Sequence, residues 1–255
     1  MQSLQALLTG GNIRFVDLTH TLNENFPGLP LPPEMGQVAT FKKTEISRYN
    51  DKGPGWYWNN ITLGEHFGTH FDAPVHWITG KDHPNNTVDT IPTEHFMAAA
   101  QVIDASEEVI GNPDFVLTPE FIQKWESEHG ILRANEWVLF RTDWHKRPIG
   151  AEFLNTGADG LNHTPGPSKE AVEYMINRNV LGFGVETLNT DAGMSFVWDM
   201  PLPCHTLMHG AGKYGLQCLR NLDQLPVRGA IIVAAPLKIE DGSGSPLRVF
   251  AIVPS

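Results

Sequence analysis

Six short apolar runs punctuate this chain, at residues 14–18, 100–104, 137–141, 180–185, 230–235 and 248–253. Each is too short for a typical helix, and several are rich in Val, Ile and Phe, so they read as buried β-strands. Helix starts lie between them. Thr118 is placed as an N-cap with Pro119 at the first helical position. Ser168 opens a second helix, whose apolar face is Ala171, Met175 and Ile176. Strands alternating with helices predict an α/β architecture. No repeat, low-complexity tract or linker interrupts the 255 residues, so a single domain over 1–255 is expected.

The loops between these elements are long and rich in Pro, Gly and Asn, notably at 23–37, 78–92 and 146–167. Loops of that length are more often functional or interface-forming than idle. The formal net charge of -11 argues against nucleic acid as a partner, because phosphate binding needs a basic face. No apolar run is long enough to cross a bilayer, so no membrane partner is expected. The first residues lack a basic stretch followed by a long apolar one, so no signal peptide is expected. The two cysteines, Cys204 and Cys218, do not make a secreted disulfide framework and point to a reducing, cytoplasmic location.

The chemistry concentrates in His66-Phe67-Gly68-Thr69-His70-Phe71-Asp72-Ala73-Pro74-Val75-His76. Three imidazoles and one carboxylate fall on a segment that Gly68 and Pro74 make too kinked for a regular helix. Imidazole and carboxylate are the usual ligands of Zn²⁺ and Mn²⁺. A structural zinc site would favour Cys, and none lies near the motif. Downstream, His205 and His209 stand four residues apart, with Gln217 beyond them. Residues 208–222 read as an odd helix if they form one, because three Gly fall in their first half. Gly there marks a close backbone approach to a site or to another element. His205 and Gln217 are the polar residues expected to point inward, while His209 reads equally as a packing or a catalytic residue. Glu186, Thr187 and Asp191 follow a strand and are read as shaping its turn. Trp56 and Trp58, in an expected loop, and Trp77 read either as core or dimer-interface residues or as a flat pocket for an aromatic substrate.

The His66 to His76 stretch resembles the His-x-Gly-Thr-His-x-Asp-x-Pro-x-His signature of the cyclase family of metal-dependent amidohydrolases, which includes kynurenine formamidases, and matches it at every fixed position. Residues 16–20 (Val16-Asp17-Leu18-Thr19-His20) and Thr164-Pro165-Gly166 also resemble the family. The segments 209–219 and 235–246 are most similar to its isatin-hydrolysing members. The resemblance implies a single α/β domain with a central, open, β-barrel-like mixed sheet surrounded by helices, assembled as a homodimer or homotetramer. It implies a divalent metal held by His66, His70 and Asp72, with help from Gln217. Formamidases of the family are similar in holding a second metal by a His and a Glu twelve residues apart. His205 and Gln217 have that spacing, but a neutral amide is a poor second-metal ligand, which favours a single ion, Mn²⁺ ahead of Zn²⁺.

The activity implied is hydrolysis of a small aromatic cyclic amide, isatin to isatinate, by metal-activated hydroxide. His76 is the expected general base, and His205 a neutral donor to the substrate carbonyl. Trp56, Trp58 and Trp77 would hold the flat substrate. Cys218 occupies a position where the isatin-hydrolysing members lead one to expect a Ser, so a catalytic proton path there would run through a weaker donor. The alternatives are an arylformamidase acting on N-formylkynurenine and a related lactone- or amide-cleaving cyclase.

Overall fold

The computed structural model describes residues 10–254. In chain order the strands are β1 (Ile13–Asp17), β2 (Lys42–Asn50), β3 (Gly53–Thr62), β4 (His70–Asp72), β5 (Met97–Asp104), β6 (Val116–Leu117), β7 (Trp137–Arg141), β8 (Gly166–Pro167), β9 (Gly182–Val185), β10 (Tyr214–Gln217), β11 (Arg228–Val233), β12 (Gly244–Pro246) and β13 (Phe250–Pro254). The described helices are α1 (Ser106–Gly111), α2 (Pro119–His129), α3 (Ala151–Leu154) and α4 (Lys169–Asn177).

Nine strands form one mixed sheet in the order β1-β13-β11-β5-β7-β9-β10-β4-β12, curled into a half-barrel. This is the open, barrel-like α/β architecture expected from the sequence. All six predicted strands belong to it. Its centre, β5-β7-β9-β10, is parallel, and both faces there are covered. Alternation along β7 shows how: Trp137 and Leu139 point into one apolar cluster, Val138 and Phe140 into another. The second cluster is closed by Ile122 and Trp125 of α2 and by Ala171, Val172 and Met175 of α4. Parallel strands buried on both faces read as continuous apolar runs, which is why this part of the sheet was visible in the sequence. Thr118 and Ser168 cap α2 and α4, their side chains accepting from Phe121 N and Ala171 N.

Two sequence expectations change, and one short strand is added. The odd helix over 208–222 is instead one π-helical turn, His205–His209, followed by β10. Gly212 has a left-handed φ of +69°, which stops the helix and turns the chain into the sheet. The stretch around Trp56 and Trp58 is strand rather than loop: β2 and β3 form a separate antiparallel hairpin. The Gly- and Ser-rich segment near 242–246 carries an edge strand, β12, paired with β4. The described helices are too short and polar to cross a membrane.

His20 lies beside the sheet against Phe26 and Phe153, with ring centroids 5.5 and 5.7 Å away. Its buried Nε2 has no hydrogen-bond partner. Burial first, then the charges of Arg220 and His145, push its pKa down to about 4. A folded pKa below the unfolded value of about 6.5 contributes stability above that value, and the contribution is lost as pH falls toward 4. Replacing His20 with Phe is therefore expected to flatten the acid loss of stability between pH 6.5 and 4 by up to about 1.4 kcal/mol per pH unit. Denaturant melts at pH 7 and pH 5 check this; an equal acid loss in both proteins would contradict it.

Candidate metal centre

The site is built around β4. Its three residues alternate: Phe71 points into the core, while His70 and Asp72 share the opposite face. β4 is paired on both sides, with Asp72 opposite Gly215 of β10 and opposite Gly244 of β12. A Cβ at Gly215 would stand 3.0 Å from Asp72 Oδ2, and one at Gly244 2.5 Å from the His66 ring. Both glycines are therefore needed to make room for the site. The same pairing sets Gln217 across from His70. Gly68, at φ +66°, turns the chain so that His66 folds back over Asp72, and Pro74 opens the short 3₁₀ turn that carries His76.

Asp72 is fully buried and takes every remaining polar contact inside the cluster. Its Oδ1 lies 2.7 Å from His66 Nδ1 and 3.4 Å from His70 Nε2. Its Oδ2 accepts from the Gln217 amide and lies 3.7 Å from His205 Nε2. Burial alone would raise its pKa, but the neighbouring His70 and His76 rings and the close His66 Nδ1 hold it well below the usual carboxylate range. Among the described residues no Lys or Arg forms an ion pair with it.

The tautomers matter. His70 Nδ1 donates to Gly68 O at 2.7 Å, leaving its Nε2 lone pair facing Asp72. Ser243 Oγ donates to Glu65 Oε2 at 2.6 Å and so accepts from His66 Nε2 at 2.9 Å. The His66 Nδ1 lone pair then faces a carboxylate oxygen, two acceptors that require a cation, a proton or a metal ion, to be close. Ligand atoms of His66, Asp72 and His76 lie within 4.8 Å of one another, as do those of Asp72, His205 and His209. A buried anion facing imidazole lone pairs, with no basic side chain to neutralise it, is a donor set that fits a divalent cation.

His205 is oriented by Asp191, which the sequence reading had assigned to turn shaping. This fully buried carboxylate accepts from the backbone N–H of Cys204 (2.5 Å) and His205 (3.0 Å), and from His205 Nδ1 at 2.6 Å. Burial opposes charge on the ring, but the Asp191 hydrogen bond and charge outweigh it and raise its pKa. A partner for Asp191 fourteen residues away left no local sequence signal. His76 behaves oppositely: burial, and then the neighbouring imidazoles, push its pKa down to about 2 against the pull of Asp72. Its ring stacks on His66 at 3.7 Å. His209 is buried, is lowered to about 4 chiefly by burial, and sends Nδ1 to Lys213 O.

An enclosed cavity of about 450 Å³ opens onto these groups, lined by His66, His70, His76, His205, Gln217 and Trp77 on one side and by apolar residues on the other. Trp77 donates to Thr206 Oγ1 and lies 4.9 Å from the His205 ring. Trp56 and Trp58 are absent from the cavity wall; they stand half-exposed on β3. Cys218 is packed in an apolar cluster with Phe67, Trp144 and Leu188, and burial pushes its thiol pKa up. It is neither a thiolate nor part of the cavity lining. A further ligand-like group, Asp143, His145 and Glu186, already has its charge met: Arg141 and Lys146 pair with Asp143, and Glu186 accepts from Thr142 N, Trp144 N and His145. Glu186 thus has the structural role read from the sequence.

Comparison with known proteins gives a consistent picture. A family model described as putative cyclase matches residues 16–192. The chain is 46% identical to an isatin hydrolase of Roseibium aggregatum, over all of this chain and 97% of that one. It is similar to the solved isatin hydrolase A of Ralstonia solanacearum, with 60% identity, a TM-score of 0.96 and coverage of 99% and 98% of the two chains. It is also similar to an isatin hydrolase solved with the product analogue thioisatinate, with 44% identity and a TM-score of 0.95 over the full length of both chains.

Asp72→Asn keeps the shape of this site and removes its anion. Metal-stripped wild-type protein reloaded with Mn²⁺ or Zn²⁺ is expected to keep about one ion per chain after gel filtration, and the variant treated alike essentially none. Equal metal content by elemental analysis would rule out Asp72 as a ligand.

Proposed function

This chain belongs to the putative cyclase family, and on that premise we propose that it is a metal-dependent hydrolase that opens the cyclic amide of isatin to give isatinate. The observation that carries this reading is the convergence of His66, His70, His76 and His205 on one largely apolar cavity, with the buried Asp72 carboxylate in contact with His66 and His70. The chain that builds this cavity is 46% identical to an isatin hydrolase throughout.

His66, His70 and Asp72 would hold the metal, with help from Gln217; adding carboxylate and amide oxygens to two imidazoles favours Mn²⁺ over Zn²⁺. When bound, such an ion supplies Lewis-acid chemistry, polarising the amide carbonyl and making water acidic near neutral pH. The rest is done by this chain's own side chains. The His76 ring makes no hydrogen bond to the described residues and faces the cavity, so a lone pair is free to take a proton from water. Hydrolysis adds OH to the carbonyl carbon and H to the ring nitrogen, and His76 returns its proton to that nitrogen as the C–N bond breaks. His205 donates from Nε2 to the carbonyl oxygen. Asp191 accepts from Nδ1 and draws the ring toward its protonated form, which strengthens its hold on a developing oxyanion. The Trp77 ring forms the flat wall. The Gln at 217 disfavours a second ion, and with it the formamidase alternative.

Trp56 and Trp58 belong to a different contact. They lie on one face of β3 with ring centroids 6.2 Å apart. Both are half-exposed, and they leave this face of the hairpin with an apolar surface. A second copy of the chain covers it, giving a dimer.

Isatin absorbance followed with stripped protein reloaded with Mn²⁺ or Zn²⁺ tests the activity; no loss of isatin with either ion, alongside cleavage of N-formylkynurenine, would replace the substrate. His76→Ala is expected to lower turnover by roughly 10²–10⁴-fold with metal retained. Loss of the metal instead would make His76 a ligand. Trp58→Glu is expected to convert the dimer to a monomer in sedimentation velocity; a monomeric wild type would refute the hairpin assignment.

A further inference from the structure

The cavity is larger than its reaction requires. At interior packing density a two-ring cyclic amide fills on the order of 200 Å³, against about 450 Å³ available. Burial gives the space a direction. The polar floor is closed: His70, His205 and Gln217 are 3%, 6% and 4% exposed. The opposite end is open and apolar, with Met35 55%, Val38 40% and Phe196 39% exposed. Leu29, Leu31, Leu188 and Leu202 line the space between. Among the described residues, the only ionisable side chains in the lining are the histidines of the floor.

The wall at that end is built rather than loose. Residues 26–36 carry Pro27, Pro30, Pro32 and Pro33, which restrict the backbone before any ligand arrives. Met35 N donates to Pro32 O at 2.9 Å, and the Gln37 side chain donates to both Pro32 O and Met35 O. Gly28 packs near Phe67. A restrained loop that leaves Met35 and Val38 facing a cavity mouth keeps apolar surface in water, a cost removed only when something apolar covers it.

We infer that this cavity selects isatins that carry an apolar extension on the carbocyclic ring, with Met35, Val38 and Phe196 as the residues that recognise it. The inference rests on the isatin-opening reading above. With the amide at the polar floor, the carbocycle faces the mouth, and position 5, para to the ring nitrogen, points farthest outward. An aryl or alkyl group there covers Met35 and Phe196. A charged group loses hydration with no partner to replace it. The chemistry is unchanged: water adds across the same C–N bond.

The test compares kcat/KM of the Mn²⁺-loaded full chain on isatin, 5-phenylisatin and isatin-5-sulfonate. The expected order is 5-phenylisatin about tenfold above isatin, from the added apolar burial, with the sulfonate at least about tenfold below. In the Met35→Ser, Phe196→Ser double variant, both positions being partly exposed, the phenyl-to-isatin ratio is expected to fall to near one. Turnover of isatin with equal or poorer use of 5-phenylisatin would overturn the inference and leave the isatin reading intact. A ratio unchanged in the double variant would overturn the assignment of these residues. Turnover of neither compound would overturn the isatin reading and the inference together.

Discussion

A single buried negative charge organises this molecule. Asp72 sits with no exposure in a sheet, between two strands, and the described residues provide it with imidazoles and an amide but no Lys or Arg. An isolated carboxylate in such a place is costly unless it is paired or coordinates a metal. The surrounding backbone is arranged to meet that demand. Glycines oppose Asp72 on both neighbouring strands, a left-handed Gly68 folds His66 over it, and a proline starts the turn that presents His76. The fold around the site is in this sense the solution to one electrostatic problem.

The same solution recurs away from it. Asp191 and Glu186 are also fully buried carboxylates, and each is satisfied by backbone N–H groups together with one histidine, His205 or His145. Glu186 follows β9 and its backbone donors follow β7, at the carboxyl ends of parallel strands where α/β folds gather polar groups. These pairs separate the imidazoles into classes. His205 is held toward the charged form by Asp191, whereas His76 and His209, buried without such a partner, are held neutral. The proposed donor, His205, and the proposed base, His76, stand 5.5 Å apart between ring centroids with opposed protonation preferences.

The cavity divides along the same line. Its polar floor comes from β4 and β10, fixed by sheet pairing, and from the π-helical turn that precedes β10. Its apolar wall comes largely from the proline-rich segment near residues 27–38 and from Phe196 and Leu202, outside the sheet. Polar groups thus gather at the sheet and the turns beside it, and apolar groups on loops. π-helical turns are rare and concentrate at functional sites; here one carries both His205 and His209 into the cluster.

Much of this was legible in the sequence, and the boundary follows the range of the forces involved. The six sheet strands were readable because apolar runs reflect burial on both faces, a property of contiguous residues. The helix caps at Thr118 and Ser168 were readable because the capping side chain and the N–H it accepts from are three residues apart. The His66 to His76 cluster was evident because its spacing is local. What the sequence could not supply were contacts between distant segments. β4 and β12 are three residues long and exist only because they pair. β10 looked like part of a helix until its neighbours on the sheet claimed it. Asp191 looked like a turn residue because its partner, His205, comes near only in the folded chain. Trp56 and Trp58 looked like candidates for the pocket, but the hairpin that carries them stands apart from the cavity. Local pattern is written in neighbouring residues; which polar groups end up sharing one buried charge is decided by long-range strand pairing, which brings together residues as distant as Asp72, Gly215 and Gly244.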